Sequence, residues 1–243
     1  MKKLSLLLLM LLVFAGSSFA QSADEVVNSY ITAIGGLEKV NSVNTVKMTG
    51  KFSSGSFEIP FTRYYKRPMK MKMDMQIQGM TMLQGYDGTS GWMLNPFQGS
   101  RDAEKMSEAD SKALKETADF EGSLINYKAK GSSLEYVGKE DFEGTEVYKL
   151  KLTDADGGVT YSFIDASSYL LLKESSTRKI GEKEVKTDVI YGNYKAVEGY
   201  LMPFSAEITA PDAGMGSSQK VVIETVELNP VVEDAIFVMP EKK

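Results

Sequence analysis

Residues 66–77 have the sequence KRPMKMKMDMQI, in which an apolar side chain occupies every second position from Met69 onward. Side chains of a β-strand point alternately to its two faces, so the pattern predicts a strand with one hydrophobic and one polar face. If the strand is regular through Pro68, Arg67 shares the hydrophobic face with the methionines. A guanidinium at the end of such a row belongs at the rim of a cavity, where it stays hydrated and donates hydrogen bonds. The alternative is an ordinary surface arginine at a strand end.

The same period of two extends to the segments before and after this strand, between residues 44 and 93. Each segment is typical of a strand with one buried and one solvated face. We predict a ligand-binding hydrophobic face formed by Val46, Met48, Phe52, Phe57, Ile59, Phe61, Met69, Met71, Met73, Met75, Met82 and Trp92. Methionine is flexible and polarizable, so a face rich in it can adapt to acyl chains of varied shape. The alternative for each residue is permanent packing in a core, which is the interpretation favoured for Trp92 and for any single methionine considered by itself.

Six further strands are predicted in the second half of the chain, where Val, Ile, Tyr and Phe are frequent. They are Glu146–Thr153, Gly158–Ile164, Tyr169–Ser175, Glu184–Tyr194, Tyr200–Thr209 and Lys220–Asn229. Short connections between them require antiparallel hairpins, because parallel crossovers need more residues. The chain is therefore predicted to be mainly β, of the α+β class, with a strongly curved antiparallel sheet of about ten to eleven strands. Residues 211–218 are expected to form a hairpin loop.

Two helical segments are predicted to cover the concave face of this sheet. Ser22 and Glu25 have the spacing of a capping box, and apolar residues then recur at helical spacing until Gly35. The stretch from Ser107 to Ala118 is rich in Ala, Glu and Lys and indicates a second helix with little apolar content. A concave apolar face needs such a cover, because exposed hydrophobic surface favours aggregation.

The first twenty residues have the pattern of a cleavable signal peptide. Lys2 and Lys3 precede an apolar run, and Ser18 and Ala20 place small residues at the cleavage site. The run is too short to span a bilayer comfortably, and the chain has no cysteine that could carry a lipid anchor. We therefore expect residues 1–20 to be removed and residues 21–243 to form a single domain in the periplasm.

The composition narrows the possible functions. Histidine and cysteine are both absent, so the chain has no Ser-His-Asp triad, no cysteine nucleophile and no ordinary zinc site. The net charge of −5 comes without a basic stripe, which disfavours nucleic-acid binding. A hydrolase with paired carboxylates is still an alternative. We expect a protein without enzymatic activity, without a cofactor and without a metal.

Three short motifs occur in an order that resembles the LolA-type outer-membrane lipoprotein carriers. They are Lys66-Arg67-Pro68 before the methionine strand, Asp87-Gly88 followed by Trp92 and Asn95-Pro96-Phe97, and Phe237 before Pro240. The resemblance covers most of the mature chain in its order of strands, although only these motifs are specific. It implies a half-open barrel of antiparallel strands whose lid is made of helices. In the family the arginine of the Arg-Pro motif holds the lid by hydrogen bonds, and this role falls on Arg67.

The resemblance also implies a function and partners. Members of the family carry acylated lipoproteins through the periplasm, receive them from an inner-membrane ABC transporter and deliver them to an outer-membrane acceptor. For this chain the resemblance implies a carrier that binds lipid or lipoprotein acyl chains, and we expect it to be a monomer. The alternative within the same fold is an envelope sensor or adaptor that binds a membrane-protein partner.

Overall fold

The computed structural model describes residues 22–54, 57–180, 183–210 and 218–242. The expected signal peptide, residues 1–20, lies outside them, as do residues 211–217 of the expected hairpin loop. Two helices open the described chain, α1 (Ala23–Ala33) and α2 (Leu37–Ser42). The predicted capping box is confirmed, because Ser22 N donates to Glu25 Oε2 at 2.8 Å and Glu25 N donates to Ser22 Oγ at 3.2 Å.

The remainder of the described chain is dominated by one antiparallel sheet. Its strands are β1 (Thr45–Ser54), β2 (Phe57–Lys66), β3 (Lys70–Ile77), β4 (Met80–Tyr86), β5 (Gly91–Leu94), β6 (Glu104–Lys105), β7 (Ser133–Phe142), β8 (Thr145–Thr153), β9 (Val159–Asp165), β10 (Leu171–Ile180), β11 (Lys183–Val197), β12 (Tyr200–Thr209) and β13 (Ser218–Leu228). Helix α3 (Glu108–Thr117) lies between β6 and β7. Short 3-10 helices occur at Pro96–Gln98 and Asp234–Phe237.

The strand order is β6-β5-β4-β3-β2-β1-β13-β12-β11-β10-β9-β8-β7. The pairing of β1 with β13 joins the two halves of the chain. Strands β6 and β7 end the sheet without pairing to each other, so the curved sheet is open, as in a half-open barrel. The thirteen strands of the described residues exceed the predicted ten to eleven, because β7 and the two-residue β6 were not assigned from the sequence.

The strand boundaries agree well where hydrophobic alternation is strong. Strand β12 has the predicted limits, Tyr200–Thr209. Strand β10 continues to Ile180, beyond the predicted end at Ser175, because its polar second half pairs with β11. Polar residues continue a strand when the backbone hydrogen bonds of a hairpin hold them, and side-chain periodicity does not detect this.

The helices cover one face of the sheet, as predicted, through two hydrophobic clusters. In the first, Ile34, Val40 and Val43 from the α1–α2 region pack with Met71 and Phe61 of the sheet. The second contains residues of α1, of the segment after α3 and of strands β8 to β10: Val26, Val27, Leu124, Tyr127, Tyr148, Leu150, Leu152, Ile164 and Leu171. Because α1 contributes to this cluster while the α1–α2 region contributes to the first, the N-terminal helices connect both halves of the sheet.

Candidate functional site: the hydrophobic face and its helical cover

The register of β2 and β3 brings the predicted hydrophobic residues together. Phe61 pairs with Met75, and Tyr65 pairs with Met71, so these side chains lie on one face of the sheet. Met71 is fully buried and Met75 is 9% exposed. Val46 is likewise buried in the same cluster. The structure therefore places these residues on the face that the helices cover.

The other predicted residues surround this buried centre. Met48, Phe52, Ile59, Met69 and Met82 are partly buried and pack against the same cluster. Among them, Met69 lies in the connection between β2 and β3 and not on the strand.

Phe57 begins β2 on the same side of that strand as Phe61, but 69% of it is exposed. The hydrophobic face therefore changes from buried near the helices to exposed at the β1–β2 hairpin.

Trp92 is a correction, because it does not belong to the hydrophobic face. It pairs with Gly85, which in turn pairs with Lys72, so these three residues share the opposite, convex side of the sheet. Met82 and Trp92 are an even number of residues apart, so regular alternation would place them on one face. The turn between β4 and β5 interrupts that alternation and puts Trp92 on the other face. Trp92 is 1% exposed, and its Nε1 donates to the Phe237 carbonyl at 2.7 Å. Its role here is to pack the C-terminal segment onto the sheet.

Arg67 lies on the face that strand parity predicted, but it reaches that face in a different way. Strand β2 ends at Lys66 and β3 begins at Lys70, so no regular strand passes through Pro68. Arg67 N donates to the Asn44 carbonyl at 2.9 Å, which continues the β1–β2 pairing by one residue. Arg67 therefore follows the alternation of β2, and that alternation also leads to the helix-covered face.

The guanidinium of Arg67 contacts both elements that meet at the rim of this face. Its Nε donates to the Val43 carbonyl at 2.6 Å and its Nη2 donates to the Val40 carbonyl at 2.9 Å. The same Nη2 forms an ion pair and a hydrogen bond with Glu121, in the segment after α3. The Phe120 ring centroid lies 5.2 Å from the guanidinium carbon, a cation–π distance. Arg67 thus joins the end of α2 to residues 120–121.

Glu121 was not predicted as a site residue, although it is the charged partner of Arg67. Its side chain is 7% exposed, and Lys130 Nζ lies 3.8 Å from its second carboxylate oxygen. Burial raises the pKa of the neighbouring Asp119 carboxyl, which Lys130 partly counteracts. Burial, followed by the charge of Glu121, raises the pKa of Tyr200 to about 12. The local sequence, with Asp119 and Glu121 on either side of Phe120, does not single out Glu121.

Arg63 is a second charged residue that sequence reasoning missed. It lies in β2 between Met48 of β1 and Met73 of β3, in the middle of the hydrophobic face. Its Nη1 donates to Tyr65 Oη at 3.0 Å, and its Nη2 donates to Met73 Sδ at 3.2 Å.

The half of the covered face formed by later strands contains a polar cluster. Glu174 accepts hydrogen bonds from Tyr191 Oη at 2.7 Å and from Ser123 Oγ at 2.9 Å. Burial, followed by the charge of Glu174, raises the pKa of Tyr191 well above its usual value. This polar cluster lies beside the second hydrophobic cluster, so the later strands carry both polar and apolar side chains under the helices. Within the described ranges, no group of three or more acidic side chains is arranged to hold a metal ion.

Two surface pockets lie away from the hydrophobic face. One of about 400 Å³ is lined by residues of α1, such as Ser29 and Thr32, together with Tyr169. The other, of about 290 Å³, lies between the convex side at Tyr64 and Lys72 and the C-terminal segment. The buried centre of the hydrophobic face is covered by the helices, so a guest molecule would have to displace them to reach it. Among the described residues, no helix is long and apolar enough to cross a membrane.

Comparison with known proteins identifies the fold from structure alone. No protein-family model and no curated protein sequence matches the chain. A LolA superfamily protein from Nitrosomonas europaea is similar with a TM-score of 0.61 at 12% identity, over 90% of this chain and 98% of that one. A DUF1329 family protein from Desulfovibrio piger has a TM-score of 0.59 at 13% identity, over 89% and 97% of the two chains.

A third solved structure has a more descriptive name. The outer membrane lipoprotein-sorting protein domain from Vibrio parahaemolyticus has a TM-score of 0.57 at 16% identity, over 88% of this chain and 94% of that one. At such low sequence identity, structural similarity establishes the fold and not the function. The chain therefore has the LolA-like fold that its short motifs indicated.

Proposed function

We propose that this protein is a non-enzymatic periplasmic carrier that binds the acyl chains of lipids or lipoproteins on its hydrophobic face. The observation that carries this proposal is a methionine-rich face covered by helices, with polar contacts to Arg67 where these helical segments meet. A permanent core needs no such polar fastening at its rim. A cover that opens and closes does need such polar contacts, because they hold the closed position and still break when the cover opens.

The energies are compatible with reversible capture. Burial of one methylene group contributes about 0.8 kcal/mol, so an acyl chain of about twelve methylenes contributes on the order of 10 kcal/mol. Opening the cover costs the contacts of Arg67, and hydrogen bonds to charged groups contribute about 1.5–3 kcal/mol each. Opening also costs the apolar contacts of the helices. The burial of the acyl chain offsets these losses in part, so the net affinity is lower than the gain from the chain alone and release is favoured.

The proposed transport has a direction, from the inner membrane to the outer membrane. On this proposal the protein receives its cargo at the inner membrane, from an ABC transporter, and delivers it to an acceptor in the outer membrane. The proposal draws on the LolA-like fold and on the expected signal peptide. The rival role in the same fold is an adaptor that binds a membrane-protein partner and alters signalling.

The first experiment looks for the cargo. The protein is purified from its envelope without denaturation, and bound acyl species are identified by mass spectrometry. The delipidated protein is then titrated with a fluorescent fatty-acyl probe. We expect acyl species in the native sample and saturable probe binding. An empty native protein that does not bind the probe contradicts the carrier, and a specific membrane-protein partner without lipid favours the adaptor.

Matched variants of β3 localise the binding. Met75 faces the helices whereas Lys72 lies on the convex side of the same strand. We expect Met75→Gln to weaken probe binding by about tenfold, since one buried apolar side chain contributes about 1.5–3 kcal/mol. Lys72→Gln should leave probe binding unchanged. Equal effects of the two variants would contradict binding on the hydrophobic face.

A further inference from the structure

Arg63 places a positive charge among the apolar side chains of β1 to β3. Its neighbours on either side are Met48 and Met73. Three aromatic rings surround the guanidinium carbon, with centroids of Phe52, Phe61 and Tyr65 at 5.8, 5.3 and 5.9 Å. The side chain is half-buried, and its Nε atom is fully shielded from solvent.

The hydrogen bonds of Arg63 are incomplete. Its Nε atom is buried and donates to no acceptor. Its Nη1 and Nη2 atoms donate to the Tyr65 hydroxyl and to the Met73 sulfur. A thioether is a weak acceptor, and neither partner carries a negative charge. Within the described part of the chain, no carboxylate forms an ion pair with Arg63.

Arg67, one residue beyond the end of β2 and on the same side of the sheet, provides an internal comparison. It is hydrogen-bonded to two backbone carbonyls and paired with Glu121, so its charge is compensated by the protein. A buried donor without an acceptor and a desolvated charge without a counter-ion are both unfavourable. An aliphatic residue would avoid both costs at position 63, so the arginine serves something other than packing.

We propose that Arg63 binds the anionic headgroup of an amphiphile whose acyl chain lies on the hydrophobic face. The headgroup is a carboxylate or a phosphate, since both offer a pair of oxygen atoms that a guanidinium can bind with two hydrogen bonds. One of these bonds satisfies Nε, and the surrounding methionines contact the chain. This inference rests on the proposed carrier function and narrows its cargo to acidic lipids.

The test compares a fluorescent polyene fatty acid with its methyl ester at pH 8. The two probes share an acyl chain and differ in headgroup charge. We expect the wild-type protein to bind the acid at least about tenfold more tightly than the ester, as a charge-assisted hydrogen bond requires. Arg63→Met should remove this preference and change the affinity for the ester by less than about twofold. Arg63→Lys should retain part of the preference, and Lys72→Met on the convex side should retain all of it.

Competition distinguishes the two headgroups. Lysophosphatidic acid and palmitate are each added to the probe complex, with monoacylglycerol as the uncharged control. Displacement by only one of the two acids identifies the headgroup as a phosphate or as a carboxylate. Displacement by monoacylglycerol at the same concentration as by the acids contradicts the inference.

The outcomes separate this inference from the carrier function. If the wild-type protein binds acid and ester equally, the role of Arg63 is overturned and the carrier function stands. If it binds neither probe, both proposals fail. If Arg63→Met keeps the preference, or loses the ester as well as the acid, Arg63 is not the headgroup site. Thermal unfolding provides a further check, because the ligand-free Arg63→Met protein should have a Tm at or above that of the wild type.

Discussion

At the scale of single residues, the two arginines of the covered face differ in how the protein compensates their charge. Arg67 has carbonyl and carboxylate acceptors from two different elements, and Arg63 has a hydroxyl and a sulfur. The contacts of Arg67 define one position of the cover, whereas the positive charge of Arg63 has no negatively charged partner among the described residues. The proposed division is therefore that Arg67 controls access to the face and Arg63 selects what enters.

The Arg67–Glu121 contact can be measured with a double-mutant cycle. We expect Arg67→Leu and Glu121→Gln each to lower the free energy of unfolding, by about 1–3 kcal/mol, because each leaves a buried polar partner without its acceptor or donor. The double variant should lose less than the sum, with a coupling energy of about 1–3 kcal/mol. Urea unfolding followed by circular dichroism provides the measurement. Additive effects would show that the two side chains do not stabilise each other.

The same variant tests whether Arg67 acts as a latch. If the contacts of Arg67 hold the cover closed, as proposed, Arg67→Leu should alter the rate at which bound fatty-acyl probe is transferred to acceptor vesicles more than the rate of capture. Both rates are measured by stopped-flow fluorescence. An unchanged transfer rate, in a variant shown by circular dichroism to be folded, would contradict the latch.

The sequence predicts one of these arginines and not the other for a physical reason. Alternation in β2 places Phe57, Ile59, Phe61, Arg63 and Tyr65 on one side of the strand. A charged residue in that row is typical of a strand end, so the local sequence does not place Arg63 in the middle of the face. Its neighbours on the face come from β1 and β3. Arg67 was predicted both from strand parity and from the Arg-Pro motif, although the regular strand through Pro68 on which the parity argument depended is not present.

At the scale of elements, the helices of the cover are attached to different extents. Helix α1 buries Val26 and Val27, with Ile34 at its C-terminal end. Helix α3 buries only Leu114 among its own described residues and depends on Ser107, whose Oγ accepts from Asp110 N, for its N-terminal cap. Fewer buried apolar side chains imply a smaller free energy of local opening. Helix α3 is therefore expected to open more easily than α1.

Hydrogen exchange measured by mass spectrometry tests this difference. Peptides from α3 should exchange through local opening, at least about tenfold faster than peptides from α1. Ser107→Ala should increase the exchange of α3 further, because loss of an N-cap costs about 1 kcal/mol. The exchange of α1 should not respond to this variant. Equal protection of the two helices would mean that the cover moves as one unit or not at all.

The sequence locates best those elements whose local sequence pattern favours the same structure as their tertiary contacts do. Helix α1 has a capping box and strand β12 has strong alternation, so both were located closely. Strand β7 has the sequence SLEYVGKEDF, whose charged residues and glycine obscure any alternation. It exists because it pairs with β8 at the edge of the sheet, and such a partner cannot be read from the local pattern. The closed state of the hydrophobic face likewise depends on contacts between distant elements.

At the scale of the whole molecule, the sheet has a helix-covered face and a convex side fastened by the C-terminal segment. Lys66 Nζ donates to the Val232 carbonyl at 2.9 Å, and both Lys66 and Lys70 form ion pairs with Asp234, at 2.8 and 3.2 Å. The Phe237 carbonyl accepts from Trp92, and both side chains are buried. These contacts are local to β2, β3 and β5, so opening the helical cover need not disturb them.

This separation predicts that Trp92 reports on the C-terminal segment and not on the ligand. Gly85 lies directly against the indole, since a Cβ atom there would lie 2.6 Å from the ring. Saturating palmitate should leave the Trp92 emission unchanged. Phe237→Ala should shift that emission to the red and cost about 3–5 kcal/mol of stability, because it opens a cavity beside the indole.

A second tryptophan provides the control for this result. Met82 pairs with Met75 on the hydrophobic face, so the emission of a Trp92→Phe/Met82→Trp variant should respond to palmitate. If Trp92 responds to palmitate as strongly as this variant does, the acyl chain binds on the convex side. The pocket of about 290 Å³ beside Tyr64 and Lys72 would then be the site, and the helices would be a permanent part of the core. A response confined to position 82 places the cargo beneath the helices, where entry requires them to move.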